Sequence, residues 1–456
     1  MANEPTHQPQ LLRGLGLKEA VTVLMGSIIG SGIFLTPRAI AQAVPSPGII
    51  LLVWIVSGVL TLFGALTYAE LGAMMPRSGG QYVYLREAFG PLWGFLFGWT
   101  FFLVIQTGSI AAVAVAFAEY SGYFVPLSPS LIKVVAILCI LLLTGVNYVG
   151  VRFGGWVQNI FTTLKVGAIV GLVVLGFGLG GGSWGNFQPL WGGINQQGLL
   201  RAFGVAMVAA LWSYDGWNNV GFVAEEIKNP QRNLPIALAF GTLGVVLIYL
   251  SANLVYMYAL QVGQIAQSQL VAADVARKVI GPLGGAAISG AVLVSTFGTV
   301  NGFILAGPRV YYAMARDGLF FKKIGEVHRR FRTPAFSILI QGIWASLLTL
   351  TGRFEQLFTY VIFASWIYYA MLVSGAIVLR RKYPSVPRPY KTWGYPIVPM
   401  LFVAIALWFV YNTLTTDPRD SLMGLILVLL GLPAYWYWRR RGSDKPAQEQ
   451  ARSCDR

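Results

Sequence analysis

The chain has 456 residues, 56% of them hydrophobic and 11% charged, with a formal net charge of +16. Soluble globular proteins carry about 25% charged residues, so this composition excludes a water-soluble domain of this length. Two cysteines exclude a disulfide framework, and basic residues placed between long apolar runs argue against a nucleic-acid-binding surface.

A membrane crossing needs roughly 20 apolar residues. The sequence divides into twelve such segments, near 17–43, 49–75, 92–118, 130–149, 154–179, 200–224, 234–260, 284–314, 335–352, 355–379, 394–416 and 421–437. The predicted fold is therefore an all-α integral membrane protein of twelve transmembrane helices. It forms one transporter domain over 17–437, between short tails at 1–16 and 438–456. An even number of crossings puts both termini on one side of the bilayer. That side carries 25 of the 33 Lys and Arg residues, so both termini are expected in the cytoplasm of a plasma (inner) membrane protein. No cleavable signal peptide is expected from the polar N-terminus, and the segment after Arg441 has a disordered composition.

In chain order, the first informative stretch is Gly26-Ser27-Ile28-Ile29-Gly30-Ser31-Gly32-Ile33-Phe34. Three glycines and two serines in mid-membrane predict a helix that opens there, which lipid tolerates only where the freed backbone faces protein, cavity or ligand. The outer half would offer N–H groups at Ser31, Gly32 and Ile33 to a carboxylate. The inner half would offer carbonyls near Ser27 and Ile28 to an ammonium. The competing reading is close helix packing through Gly26 and Gly30, four residues apart. The next span ends near Glu70, where snorkelling to the cytoplasmic edge or pairing is expected. Gly79 to Gly90 alternates aromatic and charged residues and reads as an interfacial helix.

Lys165 lies about 11 residues into the fifth segment, roughly 16 Å deep by helical rise. A lysine there costs about 2.5–3.5 kcal/mol on insertion scales, a cost that usually persists for function. Its ammonium could replace a coupling sodium, shuttle a proton, or tie the carbonyls of two helices together. The sixth segment contains Trp212-Ser213-Tyr214-Asp215-Gly216-Trp217, a second predicted break. Asp215 either caps the reopened helix or meets a ligand or proton. Trp212 sits too deep for an interfacial belt and reads as a lid, whereas Trp217 fits packing equally well. Glu225 and Glu226 close this segment and suit a basic partner. On the opposite face, the loop Gln261 to Pro282 carries an amphipathic stretch. Two breaks five segments apart predict inverted repeats over 17–179 and 200–379, with two helices at 394–437 appended. There is no phosphate-binding loop, metal spacing or catalytic elbow, so no cofactor, no metal and no enzyme activity are expected.

These residues carry a family resemblance. Gly26 to Phe34, Tyr214-Asp215-Gly216-Trp217-Asn218, Glu225-Glu226-Ile227-Lys228-Asn229-Pro230, Arg232-Asn233-Leu234-Pro235, and Ser295 to Gly302 with Arg309 resemble the amino acid–polyamine–organocation transporters. Within them the chain is similar to the L-type amino acid transporter group and its bacterial relatives, over about residues 11 to 440. The resemblance implies the leucine-transporter fold and sodium-independent amino acid movement, often by exchange. It assigns the substrate carboxylate to Gly30, Ser31 and Gly32, and the amino group to the carbonyls of Ile28 and Trp212. Lys165 then matches a lysine at a former sodium site near Ser295 and Thr296, and Ser365 and Trp366 line the side-chain pocket. The animal members' heavy-subunit cysteine is missing from the loop Glu119 to Leu131, so no disulfide-linked partner is expected.

The resulting expectation is an alternating-access exchanger of neutral amino acids, a monomer or weak homo-oligomer whose partners are its small substrates and the bilayer. Proton-coupled symport through Lys165, a cationic amino acid or polyamine carrier, and a non-transporting sensor remain open alternatives.

Overall fold

A computed structural model describes residues 14–440 apart from 78, 150–153, 193–197, 329, 332 and 352–353, and gives only the backbone of 154–159 and 420. Most of both tails, with Arg152 and Cys454, thus lies outside the described residues.

Among the described residues eighteen α-helices follow one another. The first half contains α1 (Leu17–Ile28), α2 (Gly32–Ala43), α3 (Pro47–Met74), α4 (Gln81–Phe89), α5 (Pro91–Thr100), α6 (Gln106–Ser121), α7 (Pro129–Val149) and α8 (Gly154–Gly178). The second contains α9 (Leu199–Tyr214), α10 (Pro230–Ala259), α11 (Val262–Gln267), α12 (Val271–Ile280), α13 (Pro282–Ala306), α14 (Pro308–Arg316), α15 (Ala335–Thr351), α16 (Phe354–Lys382), α17 (Ile397–Thr416) and α18 (Pro418–Leu429). Proline opens α3, α5, α10, α13, α14 and α18, a position where its missing N–H leaves nothing unpaired.

Among the described residues ten helical stretches are long and apolar enough to cross a membrane. Two more crossings fall short for identifiable reasons. Helix α15 has 17 residues, and the sixth crossing is divided between α9 and a 3₁₀ stretch, Asn219–Glu226. Together they make the twelve expected spans, the first and sixth of them broken. Among the described residues there is no strand, only an isolated bridge between Leu15 and Ile227.

Burial sorts the spans into centre and periphery. The span Pro91–Ser121 is 89% buried over its most apolar window, against 28% for Pro129–Val149 and for Ile160–Gly178. The peripheral pair exposes Leu138, Leu142 and Val174, as lipid-facing helices must.

One expectation is corrected. Helix α4 forms where an interfacial helix is predicted, but Gln81 to Leu85 and Ala88 are buried, so it lies inside the fold. Two glycines with positive φ, Gly79 at 98° and Gly80 at 44°, turn the chain inward before it. Any Cβ on Gly80 would stand 2.7 Å from the Tyr68 hydroxyl and 2.9 Å from the Phe222 ring. The amphipathic stretch after α10 becomes α11 and α12, with Val271, Ala272, Val275 and Ala276 inward.

Candidate substrate site between the two broken helices

Helix α1 stops at Ile28. Ile29 leaves helical geometry (φ −74°, ψ 88°), and α2 restarts at Gly32 with Ser31 as its N-cap. Among the described residues, the backbone N–H groups of Gly30, Ser31, Gly32 and Ile33 donate to no protein acceptor. The first hydrogen bonds of α2 run from Phe34 and Leu35 back to the Ser31 carbonyl. Ser31 is 1% exposed, and its Oγ has no partner. Unpaired buried donors at the positive end of a helix form an anion site.

The second break begins after Tyr214. Asp215 is extended (φ −66°, ψ 158°), and Gly216 adopts φ 95°. That glycine lets the two breaks touch, because a Cβ on it would lie 2.7 Å from the Ser27 carbonyl oxygen. Asn218, not Asp215, occupies the N-cap of the 3₁₀ stretch. The Asp215 carboxylate instead accepts a 2.7 Å hydrogen bond from the Tyr369 hydroxyl on α16.

Further contacts hold the breaks together. The Tyr249 hydroxyl on α10 lies 3.1 Å from both the Ile28 and the Ser213 carbonyl oxygens. Tyr249 packs against Trp54 and Tyr214, and Tyr214 donates to the Trp54 carbonyl. Nearby, the Thr36 and Ser213 hydroxyls are 2.7 Å apart.

A small cavity lies between the breaks. It is lined by Ser27, Ile28, Gly30, Ser31, Gly32, Val113, Trp212, Asp215, Thr299 and Phe303. Seven of these are sequence-predicted site residues, and Val113, Thr299 and Phe303 are additions. Trp212 covers one wall, its ring stacked on Phe358 at 5.8 Å and edge-on to Phe354 at 6.1 Å. Its carbonyl accepts from the Asp215 N–H at 3.1 Å.

Lys165 is 1% exposed and sits behind the first break. Its Nζ donates to the carbonyls of Gly26 at 2.6 Å and Ile29 at 2.5 Å, and to Thr299 Oγ1 at 3.2 Å. Thr299 passes the contact on by donating to the Ser295 carbonyl. Thus Thr299, one helical turn beyond Ser295, meets the lysine, while the Thr296 hydroxyl bonds back to Val292 and Leu293.

The remaining predicted residues lie outside the cavity lining. Ile33 is fully buried in the first turn of α2. Ser365 is buried on α16, and Trp366 stacks on Phe402 of α17 at 5.4 Å. The i to i+4 spacing from Ser295 was the available signal for Thr299. Tyr249 and Tyr369 are apolar-run tyrosines that no motif marks.

On the face of the bundle that carries Glu70 and Glu226, the expected pairings form. Glu226 accepts from Arg309 at 2.9 Å. Glu70, 2% exposed, holds Arg380 at 2.6 Å and accepts from the Thr392 N–H and hydroxyl.

The amino acid permease family model matches residues 15–432 of this chain. The chain is 33% identical over 439 residues to the serine/threonine exchanger SteT of Bacillus subtilis (strain 168), covering 96% of this chain and 99% of that one. It is 33% identical over 432 residues to b(0,+)-type amino acid transporter 1 of Mus musculus, covering 93% and 88%. Over 443 residues it is 34% identical to the large neutral amino acids transporter small subunit 2 of Homo sapiens, covering 94% and 82%.

Proposed function

The chain belongs to the amino acid permease family, and as a multi-pass membrane transporter rather than an enzyme it is one for which we propose sodium-independent exchange of neutral amino acids by alternating access. The observation that carries this reading is that one cavity is bounded by both breaks. Unpaired N–H groups of Gly30 to Ile33 suit a carboxylate, and carbonyls at Ile28 and Trp212 suit an ammonium, so the pair fits a zwitterion.

Sodium independence draws support from Lys165, whose ammonium already occupies the Gly26 and Ile29 carbonyls that a cation would need. Ser27, Ile28, Gly30, Ser31, Gly32, Ile33, Trp212 and Asp215 make the substrate site in this proposal. Lys165, with Thr299 joining the expected Ser295 and Thr296, relays its state to α13. Ser365 and Trp366, on α16, line the side-chain pocket in this proposal.

We further read residues 17–437 as one transporter domain of two inverted halves in the plasma membrane, with both termini cytoplasmic. The chain works without a disulfide-linked subunit in this reading. The turn between α6 and α7 has no cysteine, and Cys139, the free cysteine among the described residues, is buried.

The test is uptake of a radiolabelled amino acid panel into proteoliposomes, with and without sodium, and with and without internal amino acid. Exchange predicts uptake driven by internal substrate and indifferent to sodium and to a pH gradient. Accumulation in empty vesicles under a pH gradient would establish proton symport instead. Binding without flux would establish a sensor.

A further inference from the structure

Asp215 is partly exposed and lines the cavity. Its one hydrogen-bonding side-chain neighbour is neutral: Tyr369 donates at 2.7 Å. The same hydroxyl lies 3.3 Å from Asn218 Oδ1, and the Asn218 amide in turn donates to Gln81 at 2.9 Å. No Lys, Arg or His among the described residues forms an ion pair with Asp215. Lys165 directs its Nζ to Gly26, Ile29 and Thr299. The cavity therefore holds a carboxylate that no cation among the described residues neutralises, and it shares that cavity with the first break at Gly30, Ser31 and Gly32.

We propose that Asp215 makes exchange obligatory, because its carboxylate blocks reorientation of the empty carrier until a substrate ammonium pairs with it. This rests on the exchanger reading above. Alternating access passes through a closed state from which water is excluded. An unpaired charge is strongly disfavoured there, while a paired and hydrogen-bonded one is tolerated. A ligand changes such an equilibrium only by interacting differently with its two ends, and the ammonium does so at Asp215. The zwitterion fills both needs of the empty site together, its carboxylate taking the free N–H groups. Loaded carriers therefore cross, and empty carriers wait.

The experiment measures efflux of radiolabelled L-serine, or of the best substrate in the panel, from proteoliposomes into medium with and without external amino acid. Wild-type protein should release label only when external amino acid is present. Asp215→Asn removes the charge and keeps the shape, and it should raise the ratio of net efflux to exchange by roughly tenfold or more. Asp215→Glu should restore the wild-type ratio. Because both rates come from the same vesicles, the ratio is insensitive to how much protein is folded.

If wild-type protein leaks as fast as it exchanges, the exchanger reading itself fails. If wild-type exchange is strict and Asp215→Asn exchange is equally strict, the role assigned to Asp215 fails while the exchanger reading stands. Should Asp215→Asn not fold, Asp215→Gly replaces it under the same criteria. A folded variant that neither exchanges nor leaks also overturns the proposal, since the carboxylate would then be required for movement itself.

Discussion

The Lys165 ammonium donates to the Gly26 carbonyl at 2.6 Å, and so closes the N-terminal half of the first broken helix from outside that helix. Without it, the carbonyls of Gly26 and Ile29 would face a low-dielectric interior with no strong donor. Each unmade bond of this kind costs about 1–3 kcal/mol. Lys165→Ala is expected to slow exchange by roughly tenfold or more while the protein still purifies as a folded species. Proteoliposome exchange at saturating substrate is the measurement. Wild-type turnover in that variant would remove the lysine from the mechanism.

Tyr249 ties the two breaks to one another. Its hydroxyl is shared between the Ile28 and Ser213 carbonyls, 3.1 Å from each. Tyr249→Phe deletes that link and leaves the ring in its contacts with Trp54 and Tyr214. Two buried carbonyls then lack a donor in the unloaded state, and the Ile28 carbonyl is free to drift from its position at the cavity. Substrate KM should rise roughly tenfold, corresponding to about 1.4 kcal/mol, with a smaller effect on the maximal rate. A changed maximal rate at constant KM would assign the hydroxyl to movement instead of recognition.

Much of this site was readable because broken helices need unusual residues. Gly30, Ser31 and Gly32 are poor choices inside a lipid-buried helix, and their clustering exposed the first break. Asp215 and Gly216 did the same for the second. The partners that stabilise those breaks left no such trace. Tyr249 and Tyr369 each stand in an apolar run where a tyrosine suits packing, and only their positions in space bring the hydroxyls to Ile28 and Asp215. Helix α4 shows the same limit from the other side. Its alternating polar and aromatic pattern suits an interface, yet the left-handed turn at Gly79 and Gly80 sends it into the protein. The resemblance assigns Trp366 to the side-chain pocket, and its stacking on Phe402 is a contact that helical register alone does not reveal.

The buried carboxylate of Glu70 anchors the chain that follows α16. Arg380 pairs with it at 2.6 Å, Arg388 approaches to 3.5 Å, and Thr392 donates twice. Removing one partner of a buried ion pair costs about 3–5 kcal/mol. The figure here is reduced to about 2 kcal/mol, because Arg380 retains 20% exposure and solvent screens part of the attraction. Glu70→Gln should therefore lower the unfolding temperature in detergent by several degrees, with substrate KM little altered. An unchanged melting temperature would show that the cluster contributes nothing to stability.

Gly32 marks the closest approach of α2 to α9. A Cβ at this position would stand 2.5 Å from Ser213 Cα and 2.8 Å from Ser213 Cβ, closer than real atoms approach. Neither neighbour is a flexible side-chain end, so α2 must shift along α9 to admit even a methyl group. The N–H groups of Gly32 and Ile33 would move with it, away from the place where the proposed site would hold a substrate carboxylate beside Gly30 and Ser31. Misplacing such donors by even an ångström is enough to cost about a hundredfold in rate. Gly32→Ala should therefore abolish detectable exchange while leaving the protein monodisperse and helical by circular dichroism. Gly167→Ala, on α8 where a Cβ meets nothing within 4 Å, serves as the control and should exchange at the wild-type rate. Full activity in Gly32→Ala would mean that the α2 N-terminus does not hold the carboxylate.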